Sequence, residues 1–109
     1  MHAPVALSPA ALEDYVVRVL TSAGVPADEG HIVASSLVLA ELRGKGSHGV
    51  VRVPTYLQRI QAGGVRVPTR WEIIHETPST LVADGHDGLG QVVGVRTMRR
   101  CIEKARESG

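Results

Sequence analysis

The sequence predicts an α+β fold in which N-terminal helices are followed by a short strand pair and a C-terminal helix. Three observations predict it. Apolar residues recur at helical spacing through residues 8–42, short runs rich in β-branched residues occupy 71–76 and 80–84, and a long amphipathic stretch covers 89–107. Ser8 is a good N-cap with Pro9 at the first helical position. Leu12, Tyr15, Val16, Val19 and Leu20 then draw one apolar face, and Gly24 is a stop. A second helix is expected from about Pro26 to Leu42, with Asp28 and Glu29 in its first turn. Its packed side reads Ile32, Val33, Ser36, Leu37, Leu39 and Ala40, and Arg43-Gly44 marks its exit. The short Gly24-Val25 link makes the two helices a packed antiparallel pair.

The segment Gly44 to Gly49, GKGSHG, must bend or admit a close neighbour. A third helical stretch runs on to about Gln61 and ends at Gly63-Gly64, with Pro54 forcing either a kink or a new start. The runs WEIIHE and TLVAD, separated by Thr77-Pro78-Ser79, read as a hairpin-like strand pair. In the last helix, Val92, Val93, Val95, Met98, Cys101, Ile102 and Ala105 form the expected apolar side, which makes Cys101 a core residue. Arg99, Arg100, Lys104 and Arg106 are read as complementing the C-terminal dipole.

A chain of 109 residues is enough for one domain, 1–109, and too short for two. With 12 basic against 11 acidic residues it lacks the field that nucleic acid or an acidic membrane surface would select. A helix-turn-helix reading fails on the same ground: the would-be recognition helix carries Asp28, Glu29 and Glu41. The lone Cys101 excludes an internal disulfide, and no His/Asp/Glu grouping has zinc-ligand spacing, so no metal is expected. No apolar run reaches the ~18 residues of a membrane span. Met1 to Leu7 lacks a basic region followed by an apolar stretch, so a soluble cytoplasmic protein is expected. Aromatic residues are few (Tyr15, Tyr56 and Trp71), which leaves the core to Val, Ile, Leu and Ala.

The chemistry concentrates in Gly46-Ser47-His48-Gly49, followed by Arg52 and Tyr56. On a helix running from Ser47, His48, Arg52 and Tyr56 would fall within an arc of roughly 80° and present imidazole, guanidinium and phenol together. An imidazole exchanges protons near neutrality, and an arginine grips a carboxylate through two parallel hydrogen bonds. That pairing suits proton transfer to a carbonyl or imine beside a carboxylate. Ser47 either orients the histidine or caps the helix. The other reading of the same spacing is a turn histidine and a solvated arginine. His31 and His75 are read as structural. The stretch DGHDGLGQ at 84–91 gives GxxGxG between a strand and a helix, which is either a phosphate-binding turn or a structural one.

The run ELRGKGSHGVVRVPTYLQRIQAGG at 41–64, with ETPSTLVADGHDGLGQVVG at 76–94 and IEKARESG at 102–109, closely resembles the type-2 malate/L-lactate dehydrogenases. The resemblance implies an oxidoreductase that uses NAD or NADP, without a Rossmann fold, to interconvert 2-hydroxy and 2-oxo acids. By that resemblance His48 is the proton donor and acceptor, Arg52 grips the substrate carboxylate, and Ser47 and Tyr56 flank the substrate. Cofactor-binding residues are not identified. Family members are about three times as long, so the chain is expected to be an incomplete, N-terminal part of the malate/L-lactate dehydrogenase-like fold. Within it, 1–64 would be the helical substrate-side region and 65–109 the start of the α/β region. Alone it is expected to be truncated and inactive, exposing edges that a further part would cover; at full length a homodimer is expected. The alternative is a non-catalytic dimerisation or interaction module left from such an enzyme.

Overall fold

The computed structural model describes residues 5–109; Met1 to Pro4, the start of the stretch read for a leader, lie outside them. Among the described residues the order is α1 (Pro9–Ser22), α2 (Ala27–Leu42), two 3-10 turns (Gly46–His48 and Val50–Arg52), α3 (Val53–Gln61), β1 (Glu72–Glu76), β2 (Leu81–Asp84) and α4 (Gly90–Ser108). The α+β class holds. No helix among the described residues is long and apolar enough to cross a membrane.

Local chemistry sets most boundaries as expected. The Ser8 hydroxyl accepts from the Ala11 amide at 3.1 Å, with Pro9 opening α1. At the end of α2, Gly44 takes φ +71°, its amide donates to the Glu41 carbonyl, and the Lys45 amide donates to that of Ala40. This paired closure needs a left-handed residue after the cap. Pro54 makes a new start: α3 begins at Val53, where the missing amide costs nothing.

The core lies where α1 meets α2. Val16, Leu20, Val33, Ala34 and Leu37 are each no more than 1% exposed, and Val92 of α4 joins them. Several expected core positions are not there. Tyr15 is exposed, as are Ser36 and Leu39 of α2, while Ala34 and Val38 are buried. The α2 helix is apolar nearly all round, so periodicity alone could not choose its inner face. Gly30 lies on that inner face, buried against Val17 and Thr21 of α1.

The largest correction concerns α4. Cys101, Met98, Ile102 and Ala105 are exposed, and Cys101 is a free surface thiol rather than a core residue. The inward stripe is Val92, Arg96, Arg100 and Lys104, one residue per turn, because carboxylates on neighbouring elements draw the cations in. The Lys104 ammonium and the Arg100 guanidinium both reach Glu76 of β1, at 2.8 and 2.7 Å. These two cations therefore serve the strand pair, not the helix dipole. The strand pair needs that support. It is antiparallel, pairs Glu72 with Asp84 and Glu76 with Leu81, and carries an irregularity between Ile73 and His75. A two-stranded hairpin is marginal in water, and Trp71 adds a second tie by donating from its indole to the Thr97 hydroxyl at 2.9 Å.

One buried node joins the helical part to the rest. Glu29 of α2 is only 2% exposed. Its carboxylate accepts from the Thr69 amide at 3.0 and 3.2 Å and stands 4.0 Å from Arg96. Arg96 also donates to the Thr69 carbonyl, and the Thr69 hydroxyl accepts from the Leu89 amide at the head of α4. Glu29, Thr69 and Arg96 thus fix α4 against α2. Expelling a carboxylate from water is costly unless its partners are complete.

The two carboxylates give two expected outcomes. Glu29→Ala, which strands Arg96 and the Thr69 amide, should lower unfolding stability by about 3 kcal/mol in denaturant titration. The Lys104 hydrogen bond, opposed by desolvation and reinforced by Arg100, holds the Glu76 carboxyl below its ordinary value. A carboxylate lowered on folding stabilises above the usual carboxylate range and loses that contribution as pH falls through the lowered value. Thermal melts should therefore show Glu76→Gln less stable than the parent near neutrality, with the two curves converging on acidification.

Candidate active site

The residues singled out in the sequence sit on the segment that leaves α2 and enters α3. The expected continuous helix from Ser47 is not formed. His48 ends the first 3-10 turn, Gly49 breaks the helical path at ψ −144°, and Arg52 ends the second turn just before α3. The α-helical arc drawn through His48, Arg52 and Tyr56 therefore does not apply. A tighter, two-turn coil does, because Gly49 lets the chain reset its direction between the two side chains.

Ser47 brings two of the groups together. Its hydroxyl lies 3.0 Å from His48 Nδ1, and its carbonyl accepts from Arg52 Nε at 2.8 Å. Of its two possible roles, the serine orients the histidine; neither 3-10 turn has a side-chain cap bond. With Nδ1 engaged, Nε2 is the ring atom that can meet another molecule. With Nε engaged, the two terminal nitrogens of Arg52 remain as a parallel pair, and no carboxylate among the described residues pairs with them. Both side chains are exposed.

Burial explains why these groups face outward. Val53 is buried and Val50 and Leu57 are half-buried, all three in contact with the core or part of it. Together with Tyr15, Val16, Val19 and Pro54 they line an apolar hollow of about 270 Å³. Holding that apolar side inward leaves positions 48 and 52 to solvent.

Tyr56 is placed differently. It is half-buried on α3, and its hydroxyl accepts from the Gln91 side-chain amide of α4 at 2.9 Å. The phenol thus bridges two helices and keeps its own O–H as a donor. Sequence reasoning gave no role to Gln91, although it closes the quoted DGHDGLGQ run. It also passed over Glu41, whose carboxylate accepts from the Val50 amide at 3.0 Å. The available signal was an acid in the last turn of a helix, where the dipole disfavours one.

The glycine-rich turn at 84–91 reads as structural. A Cβ on Gly85 would stand 2.7 Å from Val93 Cγ2, and one on Gly88 would press on Thr69. His86 and Asp87 take positive φ, the His86 ring bonds Glu72 at 2.8 Å, and the Asp87 carbonyl accepts from the Arg66 amide. Gly85 and Gly88 thus admit protein neighbours, which favours the structural reading of this turn over the phosphate-binding one.

The chain matches the family model of malate/L-lactate dehydrogenases over residues 7–109. It is 48% identical over 98 residues to a malate dehydrogenase of Pyrococcus horikoshii, covering 90% of this chain and 27% of that protein. The solved structure of malate dehydrogenase from that organism superposes with a TM-score of 0.93 at 45% identity, over 96% of this chain and 30% of the other. An L-sulfolactate dehydrogenase of Methanocaldococcus jannaschii is 38% identical over 103 residues, covering 94% of this chain and 30% of that protein. A ureidoglycolate dehydrogenase (NAD(+)) of Escherichia coli O157:H7 is 31% identical over 98 residues, covering 90% and 28%. The chain thus spans less than a third of the length of these relatives. Sequence, fold and the SHGVVRVPTY segment agree: the chain belongs to the malate/L-lactate dehydrogenase family.

Proposed function

We propose that the chain is the substrate-side part of an oxidoreductase that interconverts 2-hydroxy acids and 2-oxo acids with NAD or NADP. The observation that carries this reading is the double use of Ser47, which orients the His48 ring through its hydroxyl and the Arg52 guanidinium through its carbonyl. The relatives' names lend support, since malate, sulfolactate and ureidoglycolate are all 2-hydroxycarboxylates.

The chemistry follows from what each group can do. Reduction of a 2-oxo acid places a hydride on C2 and a proton on the carbonyl oxygen. His48, protonated on both ring nitrogens, supplies the proton from Nε2 and is left neutral, while its Nδ1–H donates to the Ser47 hydroxyl before and after the transfer. Arg52 takes the substrate carboxylate on its terminal nitrogens, which fixes the distance between C2 and the imidazole. The Tyr56 hydroxyl, steadied by Gln91, flanks the same face as a donor. In the oxidative direction His48 accepts the hydroxyl proton.

The nicotinamide cofactor would supply the hydride; the residues that hold it are not identified in this chain. On this reading residues 1–64 form the helical substrate-side region, and 65–109 begin the α/β region. By itself the chain turns nothing over; at family length it works in the cytoplasm as a homodimer.

A chimera tests the reading. This chain should replace the matching 98-residue segment of the Pyrococcus horikoshii malate dehydrogenase with retention of malate oxidation. In that chimera His48→Ala should lower kcat by on the order of a hundredfold or more while leaving nicotinamide binding intact. Arg52→Lys should raise the apparent KM by about tenfold, since a point charge replaces a fork. Unchanged kinetics in both variants would refute the assigned roles.

A further inference from the structure

We infer that Glu41 is a positioning residue, which sets His48 and Arg52 by holding the coil between them. The inference rests on the reading just proposed for those two side chains, but its geometry stands independently. The backbone hydrogen bonds that close the two 3-10 turns are local, each spanning three residues. His48 donates to Lys45, Gly49 to Gly46, Arg52 to Gly49 and Val53 to Val50. Among the described residues, the only side-chain hydrogen bond reaching residues 46–52 from outside this stretch is the one that the Glu41 carboxylate accepts from the Val50 amide, at 3.0 Å.

Val50 lies two residues from His48 and two from Arg52, so this contact anchors the midpoint of the coil. A hydrogen bond to a charged acceptor is stronger than a neutral one. Two further features bear on this contact. Glu41 stands in the last turn of α2, where the helix dipole opposes a negative charge; the local cost is offset by the tie it makes. Gly49 is buried, and a Cβ there would collide with the Glu41 carboxylate. The glycine in the middle of SHGV is therefore the space that the carboxylate occupies.

The test uses the 109-residue chain and NMR. Glu41→Ala should speed exchange of the Val50 amide by about tenfold and shift the Arg52 Nε–H signal, nine and eleven residues away in sequence. Glu41→Gln, which keeps an acceptor oxygen, should restore both signals in large part. Gly49→Ala, which leaves Glu41 chemically intact but displaces it, should reproduce the Glu41→Ala changes and covers the case in which the alanine variant fails to fold. Unaltered Val50 exchange and Arg52 signals in Glu41→Ala, or in Gly49→Ala if the former does not fold, would overturn the inference, as would Glu41→Gln behaving like Glu41→Ala. The chimera separates this from the parent reading. Loss of kcat in Glu41→Ala, recovered in Glu41→Gln, supports the positioning role. NMR changes without any effect on kcat or KM would overturn it, whereas an inactive parent chimera would sink the dehydrogenase reading and leave the NMR result to decide whether Glu41 holds the coil.

Discussion

A single carboxylate buried at the foot of α2 determines how the two parts of this chain meet. Glu29 has almost no contact with water, yet it satisfies the Thr69 amide and faces Arg96, which in turn binds the Thr69 carbonyl. Through that node a residue of the first helical pair dictates where α4 begins and which way it turns. The placement of Gln91 beside Tyr56 is a consequence, since the first turn of α4 is held by Leu89 bonding to Thr69. The aliphatic core supplies most of the burial, but aliphatic packing tolerates sliding. A charged, directional contact in the interior does not.

The coil that carries Ser47, His48 and Arg52 lies at the other end of α2 and is held by different means. Val50 and Val53 pack toward the core, Val51, His48 and Arg52 face solvent, and Gly44 gives the coil a defined starting direction. Rigid helices thus bracket a short irregular segment. Such an arrangement suits chemistry, because side chains on the coil can be aimed independently of helical periodicity while their backbone stays fixed.

The elements of the fold were legible from local chemistry: Ser8-Pro9 opens α1, Gly44 closes α2, Pro54 restarts the chain and Thr77-Pro78-Ser79 reverses it. The faces were less so. Cys101, Met98 and Ile102 looked like core because apolar residues at helical spacing usually are, and they lie outside because Glu29 and Glu76 claim the opposite stripe for Arg96, Arg100 and Lys104. Those carboxylates lie 67 and 24 or more residues away in sequence, beyond any local pattern. At the site, the residue types and their order were readable, but the geometry linking them was not. A helical wheel could not anticipate that Gly49 interrupts the helix, or that a backbone carbonyl would hold the guanidinium.

That last detail separates what heredity can adjust. The hydroxyl of Ser47 is a side-chain property, open to replacement by mutation, whereas the oxygen that steadies Arg52 belongs to the peptide bond and survives any exchange at the position. Lineages carrying this coil can therefore alter the hydrogen bond at the imidazole while keeping the orientation of the guanidinium unchanged.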